Sequence, residues 1–207
     1  MLKSNRIIKS RRFDKVERVV IAFHGYGDDG DNFSEAGSLF LAPKLDNAIF
    51  LFPNAPHDCD IGFGRQWFAL DEMSYNELRC GLEEVTPIVR EYIENVSQEY
   101  NCKNINLIGF SQGAMIVFEM LYYPGISKIV AYSGVFAAPR DKKPLSNAEV
   151  LIMHSEDDDV VPYKNAERAK KNLENLGVKV SLKTCNGIGH SISAEGLDYG
   201  VEFLKSF

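Results

Sequence analysis

Residues 105–118 read Ile105-Asn106-Leu107-Ile108-Gly109-Phe110-Ser111-Gln112-Gly113-Ala114-Met115-Ile116-Val117-Phe118. A strand-length apolar run enters a GxSxG pentapeptide, Gly109–Gly113, and a helical run leaves it at once. A bare GxSxG would arise somewhere in a chain of this size with a chance of roughly one in fifteen, so the pentapeptide alone decides little. The strand before it and the helix after it decide much more. So tight a turn forces the serine into a strained backbone conformation and lifts its Oγ clear of the sheet, as a nucleophile requires. Gly109 and Gly113 are expected where a Cβ would collide with the closely approaching helix and strand. The helix N-terminus behind Ser111 favours negative charge at a reacting centre.

Outward from this segment, strand-like apolar runs occur at Val19–Phe23, Ala48–Phe52, Lys128–Tyr132, Val150–His154 and Val178–Lys183. They do not alternate cleanly, which suits strands buried on both faces of a parallel sheet. Helices are expected between them. Ser74-Tyr75-Asn76-Glu77 is a capping-box signature, and Leu78, Leu82, Val85, Val89, Tyr92 and Val96 follow on one helical face. Pro87 is expected to kink that helix or to start a second one. Residues 112–122, 165–176 and 194–205 read as further helices. The alternation implies an α/β fold with a mostly parallel sheet, helices on both faces and right-handed crossovers. No repeat, linker or low-complexity tract interrupts it, so residues 1–207 are expected to form a single domain.

A serine nucleophile needs a base. Where a GxSxG turn tops an α/β-hydrolase sheet, the partners follow in the order serine, acid, histidine. The chain has four histidines. His24 and His57 precede Ser111, and His154 leaves little room for an acid before it. His190 sits in the loop Gly187-Ile188-Gly189-His190-Ser191-Ile192 after the last expected strand, and is read as the base. The acid is expected in Glu156-Asp157-Asp158-Asp159, at the carboxyl end of a strand, and spacing alone does not choose among the four. Asp141, in the preceding loop, is an outside candidate. One oxyanion donor is expected from the backbone N–H of Gln112.

These motifs resemble the phospholipase/carboxylesterase family, which includes acyl-protein thioesterases. His24-Gly25-Tyr26-Gly27-Asp28 is similar to its HGxGD element, and Pro53-Asn54-Ala55-Pro56 and Arg65-Gln66-Trp67-Phe68 to its PNAP and RxWF segments. Gly109–Gly113 matches its GFSQG elbow, His154–Pro162 its HGxxDPxVP segment, and Gly189-His190 the end of its GxxH. The resemblance implies an α/β-hydrolase fold and a Ser111–Asp158–His190 triad. It also implies a second oxyanion donor from the N–H of Tyr26, and chemistry that needs no cofactor or metal. Ser155 and Asp159 replace the family's glycine and proline, so Asp157 remains the alternative acid. The apolar cluster at residues 61–68 is expected to contribute Trp67 and Phe63 to a substrate pocket, and Phe68 is as readily a core aromatic.

Composition excludes other classes. A net charge of −6 argues against a nucleic-acid surface. No run reaches the roughly 18 apolar residues of a membrane span, and a cytoplasmic protein without stable membrane insertion is expected. The basic N-terminal stretch, interrupted by Asp14 and Glu17, reads as a solvated strand or hairpin; a cleaved presequence, normally poor in acids, is the competing reading. The four cysteines lie far apart with no CxxC pair, so they offer neither a zinc site nor a redox motif. Glu149 follows Ser133 by 16 positions, too few for a large cap domain. Small or acyl-chain esters and thioesters are the expected substrates. The alternative, a non-catalytic relative that binds a small ligand or partner, is separated from an enzyme by labelling with a fluorophosphonate. Oligomeric state is not legible.

Overall fold

A computed structural model describes residues 2–103, 105–137 and 142–206. The chain builds β1 (Ser4–Lys9), β2 (Arg18–Phe23), α1 (Gly30–Ala36), β3 (Ala48–Pro53), a small ribbon of β4 (His57–Asp58) and β5 (Arg65–Gln66), and α2 (Tyr75–Glu99). It continues through β6 (Ile105–Phe110), α3 (Gln112–Glu119), β7 (Ile126–Tyr132), β8 (Glu149–Ser155), α4 (Lys164–Asn175), β9 (Val180–Cys185) and α5 (Ala194–Lys205).

Seven strands form one sheet in the order β1-β3-β2-β6-β7-β8-β9. Only β1 runs antiparallel to its neighbour; the others pair in parallel. Alternate residues of one strand serve two cores. Val19, Ile21 and Phe23 belong to one core with residues of α2, α3 and α4, whereas Val20 and Ala22 belong to a second with Leu197, Val201 and Leu204 of α5. Burial on both faces is why these strands read as continuous apolar runs. The connection from β7 to β8 holds no cap domain.

Successive strands spread outward from β2 in one direction and from β6 in the other. The carboxyl ends of this adjacent pair are therefore the switch point of the sheet, where open α/β folds place their crevice. His24–Asp28 leaves one of these ends and Ser111 leaves the other.

Local structure departs from expectation in three places. Helix α2 runs unbroken through Pro87. That proline is on the exposed side of the helix, where the carbonyl it leaves unpaired can be hydrated. Strand β9 starts at Val180, two residues later than its apolar run, because Gly177 turns the chain at φ +79° and Val178 N–H closes the end of α4 on Leu173 O. Helix α1, capped by Asp29 through Asn32 N, and the π-helical turn after it, Gly37–Leu41, are not among the expected helices. Gly30 and Gly37 cost helix propensity, yet both are needed because a Cβ there would lie 2.4 Å from Phe52 O and 2.3 Å from Phe52 Cζ.

The capping box of α2 is complete: Ser74 Oγ accepts from Glu77 N and the Glu77 carboxylate accepts from Ser74 N. Replacing Ser74 by Ala is expected to cost about 1 kcal/mol, read as a lower urea midpoint with unchanged slope.

Candidate active site

Ser111 caps the N-terminus of α3 at φ 52°, ψ −114°, a strained conformation for a residue with a Cβ. Its side chain makes no capping bond, which leaves Oγ available. The strain is imposed by neighbours. A Cβ on Gly109 would fall 2.3 Å from Gly113 O, and one on Gly113 would fall 2.1 Å from Phe23 O. Helix α3 thus starts against the end of β2, and every residue of it is buried.

His190 reaches this serine from the loop between β9 and α5. Its Nε2 lies 2.9 Å from Ser111 Oγ, and its Nδ1 lies 2.8 Å from Asp158 Oδ2. The ring packs against Phe110, with centroids 5.0 Å apart. The Asp158 side chain is fully enclosed. Its Oδ1 accepts from the amides of Val160 and Val161 at 3.0 and 2.8 Å. Burial opposes its ionisation, but the hydrogen bonds from His190, Val161 and Val160 outweigh that and hold the carboxyl below the usual carboxylate range.

The other acidic candidates fall elsewhere. Asp157 takes a hydrogen bond from Ser155 Oγ, and it accepts from Gly187 N at 2.9 Å and Gly189 N at 3.2 Å. It braces the loop that carries His190 and makes no bond to the imidazole. The bond from Ser155, with these amides, keeps its carboxyl low, against an opposing contribution from burial. Glu156 and Asp159 are exposed, and Asp141 lies outside the described residues.

Two further histidines are structural. Burial pushes His154 below its ordinary value. In its neutral form Nε2–H donates to Val161 O at 2.7 Å and sits 3.1 Å from Asp158 Oδ2, so it backs the Asp158 carboxylate. Burial likewise pushes His24 down. Its Nδ1–H donates to Gly25 O at 2.7 Å and its Nε2 accepts from Ala55 N at 3.1 Å.

The His24–Asp28 loop runs beside Ser111: a Cβ on Gly25 would be 3.4 Å from Ser111 Cβ. Strand β5 pins this loop, since Gly27 N–H donates to Arg65 O and Arg65 N–H to Asp28 O. The amides of Tyr26 and Gln112 have no acceptor among the described residues. Phe63 is 69% exposed at the tip of the β4–β5 ribbon, and with Ile61 it leans toward Gly27.

Trp67 departs from expectation. It is 0% exposed and so offers no wall for a substrate to touch. Phe23 and His24 surround it, and its indole N–H donates to His24 O at 3.0 Å. Phe68 is also core, packed against Gly81 of α2. Sequence reasoning missed the Gln112 side chain, which is entirely buried and binds the Trp67–Phe68 backbone. Its signal was legible: a lone amide heading an otherwise apolar helix must find partners.

The sequence model of the phospholipase/carboxylesterase family matches residues 3–207. The chain belongs to that family. It is 24% identical to esterase YpfH of Escherichia coli over 91% of its own length and 82% of the relative's. It is 29% identical to acyl-protein thioesterase 1 of Gibberella zeae, over 90% and 88%. The crystal structure of esterase PE8 superposes with a TM-score of 0.91 at 31% identity, covering 99% of this chain and 98% of that one. The fold is the α/β-hydrolase fold, and the protein is a hydrolase of the carboxylesterase type.

Two outcomes are expected. Asp158→Asn should lower kcat by about 10³- to 10⁴-fold, whereas Asp157→Asn should lower it by about 10-fold or less, through a looser His190 loop; steady-state kinetics showing the reverse order would move the acid to Asp157. Acid sensitivity should come in two stages. Native His24 and His154 titrate below their ordinary value of 6.5, so the unfolded chain takes up protons that the native one refuses. Their contribution is complete above that value and declines as pH falls through it. Asp157 and Asp158 are depressed below 3.8, so theirs is present above that value and lost on further acidification. A urea midpoint unchanged between about pH 7.5 and about pH 5.5 would contradict the neutral, buried histidines.

Proposed function

We propose that the chain is a serine esterase working through an acyl-enzyme, with Ser111 as nucleophile, His190 as base and Asp158 as its orienting acid. The observation that carries this reading is the continuous line from Ser111 Oγ to His190 Nε2 at 2.9 Å and from His190 Nδ1 to Asp158 Oδ2 at 2.8 Å. Ser111 Oγ attacks the carbonyl carbon while His190 Nε2 takes the hydroxyl proton. The carbonyl oxygen receives the displaced electron pair, and the free amides of Tyr26 and Gln112 hold it. Collapse expels the alcohol or thiol, which takes its proton from His190. Water then gives a proton to His190 and attacks the acyl-enzyme; collapse releases the carboxylic acid as Ser111 Oγ takes that proton back from His190.

A cleft of about 880 Å³ supports an acyl chain as the group transferred. One wall is α4 from Lys164 to Asn175, which spans about 16 Å at 1.5 Å per residue. That wall is polar, with Lys164, Asn165, Arg168, Asn172 and Asn175, and the apolar part of the lining is Met73, Tyr75, Leu78, Val135 and Phe136. Val160, which also lines it, gives its amide to Asp158, so the cleft adjoins the triad on the acid side. Ser111 and His190 do not line it. At the His24–Asp28 loop beside Ser111, Phe63 and Ile61 next to Gly27 offer an apolar lip to the substrate. Esters and thioesters fit the site equally, since both present a carbonyl to the same donors. The relatives named carboxylesterase and acyl-protein thioesterase support both.

A fluorophosphonate probe should label the wild type and not Ser111→Ala; an unlabelled wild type beside a labelled control esterase would sink the enzyme reading. With p-nitrophenyl esters, kcat/KM should climb from acetate to octanoate by about threefold per methylene, as expected for partial burial of each group. A flat series would remove the cleft from the substrate path.

A further inference from the structure

The two backbone amides assigned to the oxyanion come from distant parts of the chain. Tyr26 follows β2, and Gln112 opens α3. A single buried chain of hydrogen bonds connects them. The Gln112 side chain is 0% exposed; its Oε1 accepts from Trp67 N at 2.9 Å and its Nε2 donates to Phe68 O at 2.7 Å. The Trp67 indole, equally buried, donates to His24 O at 3.0 Å. That carbonyl belongs to the peptide leading into Gly25, one residue before Tyr26. His24 is fixed in turn by Gly25 O and Ala55 N.

We infer that the Gln112 side chain and the Trp67 indole are positioning residues that set the separation of the two oxyanion donors, through the line Gln112–Trp67–His24. The inference rests on the serine-esterase reading and adds to it a role for two side chains that never meet substrate. Its physical basis is the absence of slack. Each polar atom in the line is buried, so breaking one bond strands its partner and that partner moves to find another. An oxyanion hole works only where donors lie within about 3 Å of the position the oxygen reaches in the transition state. A displacement at His24 O passes through one glycine to the Tyr26 amide. A displacement at the Gln112 side chain shifts the first residue of α3, whose own amide is the other donor. The bonds also explain why a tryptophan is used here: phenylalanine would fill most of the same space and donate nothing.

Trp67→Phe and Gln112→Met each remove the hydrogen bonding and keep most of the apolar volume. Having both keeps the idea testable if one fails to fold. Each is expected to lower kcat about 10-fold on a p-nitrophenyl ester, less than the 10²- to 10³-fold cost of losing a donor outright. KM should change less than about twofold, because ground-state binding does not depend on the hole. Affinity for a phenylboronic acid, whose tetrahedral adduct with Ser111 occupies the hole, should fall by the same factor as kcat/KM. Val201→Ala, a core truncation on the far side of the sheet, serves as a control that lowers Tm and leaves kcat and boronate affinity unchanged. Variants that lose Tm while keeping wild-type kcat and boronate affinity would overturn the inference, as would a loss confined to KM. A wild type that neither hydrolyses the ester nor binds the boronate would overturn the parent reading, and this one with it.

Discussion

Helix α3 begins in contact with the end of β2, and the rest of the site depends on that approach. At Gly109 and at Gly113 a Cβ would drive into backbone, so only glycines let the chain pass from strand to helix here without a loop. Ser111 absorbs the turn at φ 52°, a conformation that costs about 1–3 kcal/mol and persists only where packing over-determines it. The packing comes from α3 itself, buried along its whole length between the sheet and α2. Strain at the serine is therefore held by core burial.

The same contact organises the charges. Because β2 and β6 are neighbours at the switch point, one loop brings the free Tyr26 amide to the place where the other presents a hydroxyl and the free Gln112 amide. His190 reaches Ser111 from the loop after β9, at the carboxyl ends of the strands, and two aspartates hold that loop and its imidazole. Asp158 is enclosed and faces the imidazole, whereas Asp157 faces the glycine-rich loop behind it. Adjacent carboxylates point to opposite work because the chain turns sharply after β8.

Much of this was legible from residues alone. Period and composition located β2, β3, β6, β7 and β8, because a strand buried on both faces carries few polar positions to interrupt its apolar run. The capping box and apolar stripe marked α2, although Pro87 suggested a break that a solvent-facing position made unnecessary. Helix α1 was illegible because its glycines answer to β3 and carry no helical preference of their own. The choice of Asp158 over Asp157 came from the family pattern, since four acidic residues in a row differ only in where a tertiary loop points them. Trp67 misled for a related reason. A large aromatic beside a binding loop reads as a pocket wall, and only in the folded chain is its indole spent on His24 O.

By itself the sequence determined the kind of protein: an alternating α/β chain with a serine on a strand-to-helix turn, a late histidine and an acidic loop between them. Those features are local, written in periodicity and spacing that short-range sterics and burial enforce. The tertiary structure decided which carboxylate meets the imidazole, which aromatic is core and which is rim, and how the elbow is tied to the loop beside it. Each of those is a distance between residues remote in the chain, and such distances exist only after the sheet has brought its strands together.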